Sequence, residues 1–181
     1  MPGIKYFPSN LNVQNKRIVV RVDLNVPLND KKIQDSTRIE QTLPLLQDLI
    51  KRKAKIILIS HLGRPKGMRD STLSLLPIYK YLKKKLDTNM YFYTGEINDE
   101  LKIKCSYLKE SEILLIENIR FFKEETEDDE RFSKKLGKLG EIYINDAFSC
   151  SHRKQSSIHN ITKFVKEIYA GPLLKKEITA I

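Results

Sequence analysis

Short β-branched runs along the chain alternate with longer stretches in which apolar residues recur every three or four positions. Ile18-Val19-Val20-Arg21-Val22 has strand composition, and Ile56–Ile59 reads as a strand buried on both faces. Met90–Tyr93, Ile113–Ile116 and Ile142–Ile144 supply three more strands. Between them, Ser36 and Thr37 precede a helical pattern carrying Ile39, Leu43, Leu46, Leu49 and Ile50. Ser71-Thr72 opens a second helix through Leu73, Leu76, Ile78 and Leu82. A third is expected from Asp128 to Leu139, acidic in its first turn and carrying Lys134, Lys135 and Lys138 later, the charge order a helix dipole favours. Lys166 to Ile181 reads as one helix running to the last residue. Its apolar stripe, Leu173, Leu174, Ile178 and Ile181, has no partner behind it in the chain, so something is expected to follow.

Strand and helix alternating this regularly imply right-handed crossovers and a parallel sheet. The expected class is α/β, a doubly wound, Rossmann-like, three-layer fold. The 181 residues suit one domain, and 40% hydrophobic residues can fill its core. The longest apolar runs have four residues, far short of the ~20 that cross a bilayer, so no membrane partner is expected. No basic-then-apolar leader precedes Tyr6, and Cys105 and Cys150 cannot form a disulfide framework. A cytoplasmic, reducing environment is the expectation.

Charge changes the picture more. Thirty-three Lys and Arg against 23 Asp and Glu leave +10. That balance fits nucleic acid, but Lys83-Lys84-Lys85 and Lys134-Lys135 are equally explained by solvated helix faces, and small anionic substrates are served by the same charge.

In open parallel sheets, ligands bind beyond the carboxyl ends of the strands. The first predicted strand ends in Asp23-Leu24-Asn25, the second in His61-Leu62-Gly63-Arg64, and the Ile113–Ile116 strand in Glu117-Asn118-Ile119-Arg120. The Ile142 strand leads to Asn145-Asp146 and on to His152-Arg153, while Arg38 begins the helix after the first strand. One edge therefore gathers Arg38, Arg64, Arg120 and Arg153 with His61, Asp23 and Asn25. Guanidiniums so placed repel one another unless an anion lies among them, and their planar forks suit carboxylate and phosphate oxygens. The set reads as a pocket for a small, multiply anionic, hydroxylated metabolite.

Plainer explanations exist for single members. Asp23 could cap a turn before Pro27, and Arg120 could pair with Glu117 or Glu124. His159 reads as a surface residue without a partner, Cys150 and His152 are too few ligands for zinc, and Glu124–Glu130 reads as a helix N-terminal turn. No metal is expected. The seven glycines form neither G-x-G-x-x-G nor G-x-x-x-x-G-K-[ST], so this chain carries no glycine-rich nucleotide cradle.

Four motifs, in order, resemble the phosphoglycerate kinase family: Arg21-Val22-Asp23-Leu24-Asn25-Val26-Pro27-Leu28, Ser60-His61-Leu62-Gly63-Arg64-Pro65-Lys66-Gly67, Leu115-Ile116-Glu117-Asn118-Ile119-Arg120-Phe121 and Asn145-Asp146-Ala147-Phe148. The resemblance covers essentially the whole chain. It implies a normally two-domain enzyme that closes about a hinge. Residues 1–169 would form the N-terminal, 3-phosphoglycerate-binding domain, and 170–181 the start of the interdomain helix region. The C-terminal domain that binds Mg-ATP or Mg-ADP is absent from the sequence. Position by position, the resemblance implies that Arg64, Arg120 and Arg153 with His61 hold the triose phosphate, and that Leu62 and Gly63 are also substrate-binding. Asp23 and Asn25 would orient the hydroxyl and carboxyl end. Arg38 would be the catalytic residue, stabilising charge on the carboxylate that exchanges a phosphoryl group.

The implied reaction is reversible phosphoryl transfer between 1,3-bisphosphoglycerate with ADP and 3-phosphoglycerate with ATP. A chain with no nucleotide half is expected to be a monomer that binds substrate without turnover. A non-catalytic basic module binding polyanions or nucleic acid is the alternative, and a chain that complements a separate nucleotide domain is a third. Ser149-Cys150-Ser151-His152-Arg153-Lys154-Gln155 departs from the family's Gly-Thr-Ala-His-Arg-Ala-His. Serine in place of that glycine restricts the loop wherever φ is positive.

Overall fold

The computed structural model describes residues 3–181. In chain order the strands are β1 (Arg17–Arg21), β2 (Leu28–Asn29), β3 (Lys32–Ile33), β4 (Lys55–Ile59), β5 (Met90–Tyr93), β6 (Ile113–Ile116), β7 (Ile142–Asn145) and β8 (Glu167–Ala170). The helices are α1 (Thr37–Lys51), α2 (Leu76–Lys85), α3 (Asp99–Ser106), α4 (Lys123–Thr126), α5 (Glu130–Gly137) and α6 (Pro172–Thr179). β2 and β3 make a small antiparallel hairpin, and the other six strands form one parallel sheet in the order β5-β6-β4-β1-β7-β8.

Period-two alternation sends each central strand's side chains to opposite faces. Ile18 and Val20, Ile56 and Leu58, Ile113 and Leu115, and Ile142 and Ile144 join Ile39, Leu43, Leu46 and Leu49 of α1 and Ile78 and Leu82 of α2 in one core. Val19, Ile57 and Ile59, Leu114 and Ile116, and Tyr143 meet Leu101 of α3 and Phe132 and Leu136 of α5 in another. Each fully buried aliphatic side chain contributes about 1.5–3 kcal/mol, so the central strands are held from both sides. The fold is α/β, three layers deep, as the alternation predicts.

Local departures have identifiable causes. Glu167–Ala170 is not helical but pairs with β7, Asn145 opposite Ala170. Ile168 and Tyr169 suit a strand, and Gly171-Pro172 then starts a helix afresh, with proline in the first turn where no amide partner is needed. Of the stripe of α6 only Leu174 is buried, where the helix lies against α1 and the turn Phe148–Cys150, and Ile181 is exposed. Ser71–Leu73 is a single 3₁₀ turn capped by Asp70, with α2 beginning only at Leu76. Ser36 gives no side-chain cap to α1, because Asp35 Oδ1 takes the Thr37 amide instead. The expected 128–139 helix is shortened at both ends: Asp128 sits at φ 53°, Asp129 caps α5, and the acidic residues before it form the separate turn α4.

The strand order reverses at β1, with β4 to one side and β7 to the other. At such a switch point the connections leave in opposite directions and open a crevice at the carboxyl edge.

Candidate functional site

The crevice at that edge is a cleft of about 260 Å³. The segment after β1 contributes Asn25, α1 contributes Arg38, and the segment after β4 contributes His61, Gly63 and Arg64. Arg120 comes from the turn after β6, and Ser149, Cys150 and Arg153 from the segment after β7. No carboxylate lines it.

Backbone geometry places these groups. Asp23 Oδ1 accepts the Asn25 amide at 2.9 Å, the self-bonded turn that aspartate favours. Asn25 Oδ1 then accepts the Gly63 amide at 3.0 Å, tying the β1 end to the β4 end. Gly63 has φ +61°, a conformation that favours glycine, while the atom a Cβ there would crowd, Leu73 Cδ2 at 2.8 Å, is a side-chain end able to shift. Asn118, fully buried, is the hub between β4 and β6. Its Oδ1 accepts the amides of Leu62 and Arg120, and its Nδ2 donates to the carbonyls of Leu62 and Leu73. Glu117 accepts from Ser74, Leu75 and the Asn118 amide, holding the α2 approach.

Arg120 is only 9% exposed. It pairs with neither Glu117 nor Glu124; Nη1 donates to the Gly63 carbonyl at 3.0 Å, and Nε is buried with no partner. Among the described residues, Arg64, Arg120 and Arg153 form no ion pair. Arg38 reaches Asp23 Oδ2 at 3.2 Å and the Asn25 carbonyl at 3.0 Å. Burial, then the guanidiniums of Arg21, Arg120, Arg153 and Arg38, push the His61 pKa down to about 2, so its ring is neutral. Burial, aided by Arg21, also lowers the proton affinity of Arg120. Two of these donors, Arg120 and His61, are buried, and buried donors are costly unless a partner completes them.

Seven of the nine residues singled out from the sequence meet at this cleft: Asn25, Arg38, His61, Gly63, Arg64, Arg120 and Arg153. Asp23 lies one step away, on an adjoining hollow of about 180 Å³ shared with Arg38, Ser149, Asp146 and Glu177. Leu62 is not on the wall: its side chain is buried and Asn118 takes both its amide and its carbonyl, so it serves as scaffold. His159 does have a partner, Asp128 Oδ2 at 2.5 Å from Nδ1. Ser149 has no positive φ, so the departure from glycine strains nothing there, and its hydroxyl hydrogen-bonds Asp23. Gln155 is buried with Oε1 unpartnered. No group of three or more His, Cys, Asp or Glu placed to hold a metal occurs among the described residues.

Sequence reasoning missed the buried support of the cleft, Arg21, Glu125 and Ser157, which bond one another beneath His61. The available signal was a charge, Arg21, inside an apolar run. A larger hollow, about 450 Å³, lies at the far sheet edge among Tyr91, Tyr93, Tyr107 and Lys104. It lacks the four guanidiniums that converge on the smaller cleft.

Known proteins match this chain closely. The family model described as phosphoglycerate kinase matches residues 9–181. The phosphoglycerate kinase of Coprothermobacter proteolyticus is 45% identical over 167 residues, covering 92% of this chain and 42% of the relative. That of Aquifex aeolicus is 44% identical over 171 residues, covering 94% and 43%. The solved phosphoglycerate kinase from Coxiella burnetii superposes with a TM-score of 0.86 at 37% identity, over 95% of this chain and 43% of that one. The Pyrococcus horikoshii OT3 enzyme gives 0.85 at 30% identity, over 97% and 44%. The chain thus spans about 42% of the length of the curated relatives it matches, a single α/β domain of longer proteins. No helix is long and apolar enough to cross a membrane among the described residues. This chain belongs to the phosphoglycerate kinase family.

Proposed function

We propose that this chain supplies the 3-phosphoglycerate site of a phosphoglycerate kinase. The observation that carries the reading is the wall of the cleft: four arginines, three of them without any carboxylate partner, around one small opening at the strand ends. A phosphate and a carboxylate on one small molecule supply the charges that this wall lacks, and arginine forks bind such oxygens in bidentate geometry. Arg64, Arg120, Arg153 and the His61 ring suit the phosphate. Asn25, anchored through Gly63, suits the hydroxyl. Asp23 holds Arg38 from the side.

Arg38 suits the catalytic role. Half-exposed, it stands where the cleft opens to the adjoining hollow. A cation there stabilises charge on a carboxylate oxygen as its bond to phosphorus forms in one direction or breaks in the other, the service that loose phosphoryl-transfer transition states most need. Mg-ATP or Mg-ADP is the expected co-substrate, bound by a C-terminal domain outside this sequence. Alone, the chain should bind 3-phosphoglycerate and turn nothing over.

Calorimetric titration with 3-phosphoglycerate, against sulfate at matched ionic strength, tests the reading. Selective binding that weakens at least roughly tenfold in Arg38→Ala is expected, the loss of one charge-assisted bond. Equal, steeply salt-dependent binding of both anions, unchanged by the substitution, would replace it with a generic polyanion surface.

A further inference from the structure

Arg21 closes β1 and has no exposed surface. A charge at that depth carries a heavy desolvation penalty unless its donors are met. Each of its three nitrogens has a partner. Nε donates to Ser157 Oγ at 2.8 Å, Nη1 to the Val22 carbonyl at 2.6 Å, and Nη2 lies 2.9 Å from His61 Nδ1. Ser157 in turn donates its hydroxyl to Glu125 Oε2 at 2.5 Å and its amide to Oε1 at 2.8 Å. Glu125 is completely buried, its carboxyl linked to Arg21 through a single serine. Burial pushes its carboxyl above the ordinary range, with Arg21 and Ser157 pulling the other way.

The consequence falls on the histidine. A guanidinium offers donors only and keeps its charge, so the nitrogen facing Nη2 has to accept. His61 Nδ1 is therefore unprotonated, and a neutral ring carries its proton on Nε2. Nε2 has no hydrogen-bond partner among the described residues, and the ring lines the cleft. We propose that Arg21, held by Ser157 and Glu125, is a positioning residue that fixes His61 as the neutral Nε2–H tautomer, a constant hydrogen-bond donor to an anionic oxygen in the cleft. The identity of that anion rests on the function proposed above; the tautomer does not.

Charged groups around the ring act in the same direction from every side. Arg21 approaches from β1, Arg38 from α1, Arg120 from the turn after β6 and Arg153 from the segment after β7. The nearby carboxylates are engaged elsewhere, Asp23 with Asn25, Arg38 and Ser149, and Glu125 with Ser157. A histidine cation would attract an anion more strongly, but its population would fall as pH rises through neutrality. A donor locked in the neutral state keeps the same strength from about pH 5.5 to 8, leaving the ligand's own phosphate, with a second pKa of about 6, as the group that titrates.

Long-range ¹H–¹⁵N correlation spectra of the ¹⁵N-histidine-labelled chain read the tautomer directly. Only His61, His152 and His159 contribute, and His152→Asn and His159→Asn assign the remaining ring. The expected His61 pattern is a bare Nδ1 and a protonated Nε2, unchanged between pH 5.5 and 8. A protonated Nδ1, or a ring that titrates near pH 6–7, overturns the proposal with no variant needed. Arg21→Lys should release the ring into a mixture of tautomers and weaken 3-phosphoglycerate binding roughly tenfold. Ser157→Ala, which keeps the guanidinium but loosens it, should do both to a smaller extent. Variants that weaken binding while leaving the His61 pattern untouched would reduce Arg21 to simple charge and overturn its positioning role. Absence of selective 3-phosphoglycerate binding in the unaltered chain, with the tautomer as expected, would overturn the substrate reading alone.

Discussion

The two edges of the parallel sheet treat arginine in opposite ways. At the amino edge, Arg17 lies 3.6 Å from Glu141 and donates to the Leu139 carbonyl. Arg52, just before β4, contacts Asp48 at 3.0 Å, donates to the carbonyls of Pro8 and Leu11, and covers the Phe7 ring at 4.7 Å. Each charge there is spent on the fold. At the carboxyl edge, Arg64, Arg120 and Arg153 have no carboxylate, and buried Arg120 Nε has no partner of any kind. Positive charge concentrated without compensation works against stability. The anion site proposed above would account for its presence.

Breaking the support of the carboxyl edge should produce the largest effect. Asn118→Ala strands the Leu62 and Arg120 amides and the Leu62 and Leu73 carbonyls at once. Orphaned buried groups cost about 1–3 kcal/mol each and are not additive, so a loss of about 3–4 kcal/mol is expected in urea unfolding. Because the same bonds place Leu62 and Arg120, selective anion binding should disappear together with the stability.

Next in size is a pH effect from the same edge. Asp146 is 1% exposed; Oδ1 accepts the amides of Leu173 and Leu174 at the start of α6, while Oδ2 is buried without a partner. Burial raises its pKa from 3.8 to about 6, the two amides only partly offsetting it. A folded pKa above the unfolded one means the native state binds the proton more tightly. The stabilisation is complete below about pH 4 and lost as pH rises through 6. Relative to Asp146→Asn, the unaltered chain should therefore lose up to roughly 2–3 kcal/mol between pH 4 and 7. A difference that grows with pH instead would mean that the amides of α6 hold the carboxylate ionised.

Where patterns were strong, the sequence told much of this. The five strands with apolar runs lie where periodicity puts them, because four of them are buried on both faces and leave an unbroken signature, and the edge strand Met90–Tyr93 is apolar throughout. The arginines of the cleft were legible for a topological reason: strand ends of a parallel sheet share one edge, so residues distant in sequence become neighbours. β8 was not legible, since an edge strand of Glu167, Ile168, Tyr169 and Ala170 has only one fully buried member. α3, whose apolar residues follow no sustained period, escaped for a similar reason. The buried trio was invisible because its contacts are purely long-range. Arg21 meets Ser157 across 136 positions and Glu125 meets Ser157 across 32. No local pattern announces such a pair.

The smallest effects divide the two edges most cleanly. Arg52→Ala removes two carbonyl bonds, an ion pair and the cover over Phe7, and should cost about 1–2 kcal/mol with no change in anion affinity. Arg153→Ala removes an exposed side chain that has no ion-pair partner but stands among like charges. Its stability should move by less than about 0.5 kcal/mol. The sign is the informative part. If the arginines of the cleft repel one another in the free protein, Arg153→Ala should be slightly more stable than the unaltered chain at low salt. The advantage should vanish by about 0.5 M salt, as screening shortens the range of the repulsion. Thermal melts at two ionic strengths measure this, and titration with 3-phosphoglycerate should show weaker binding in the same variant. Destabilisation at low salt would mean that Arg153 is spent on the fold after all, placing it with the arginines of the amino edge.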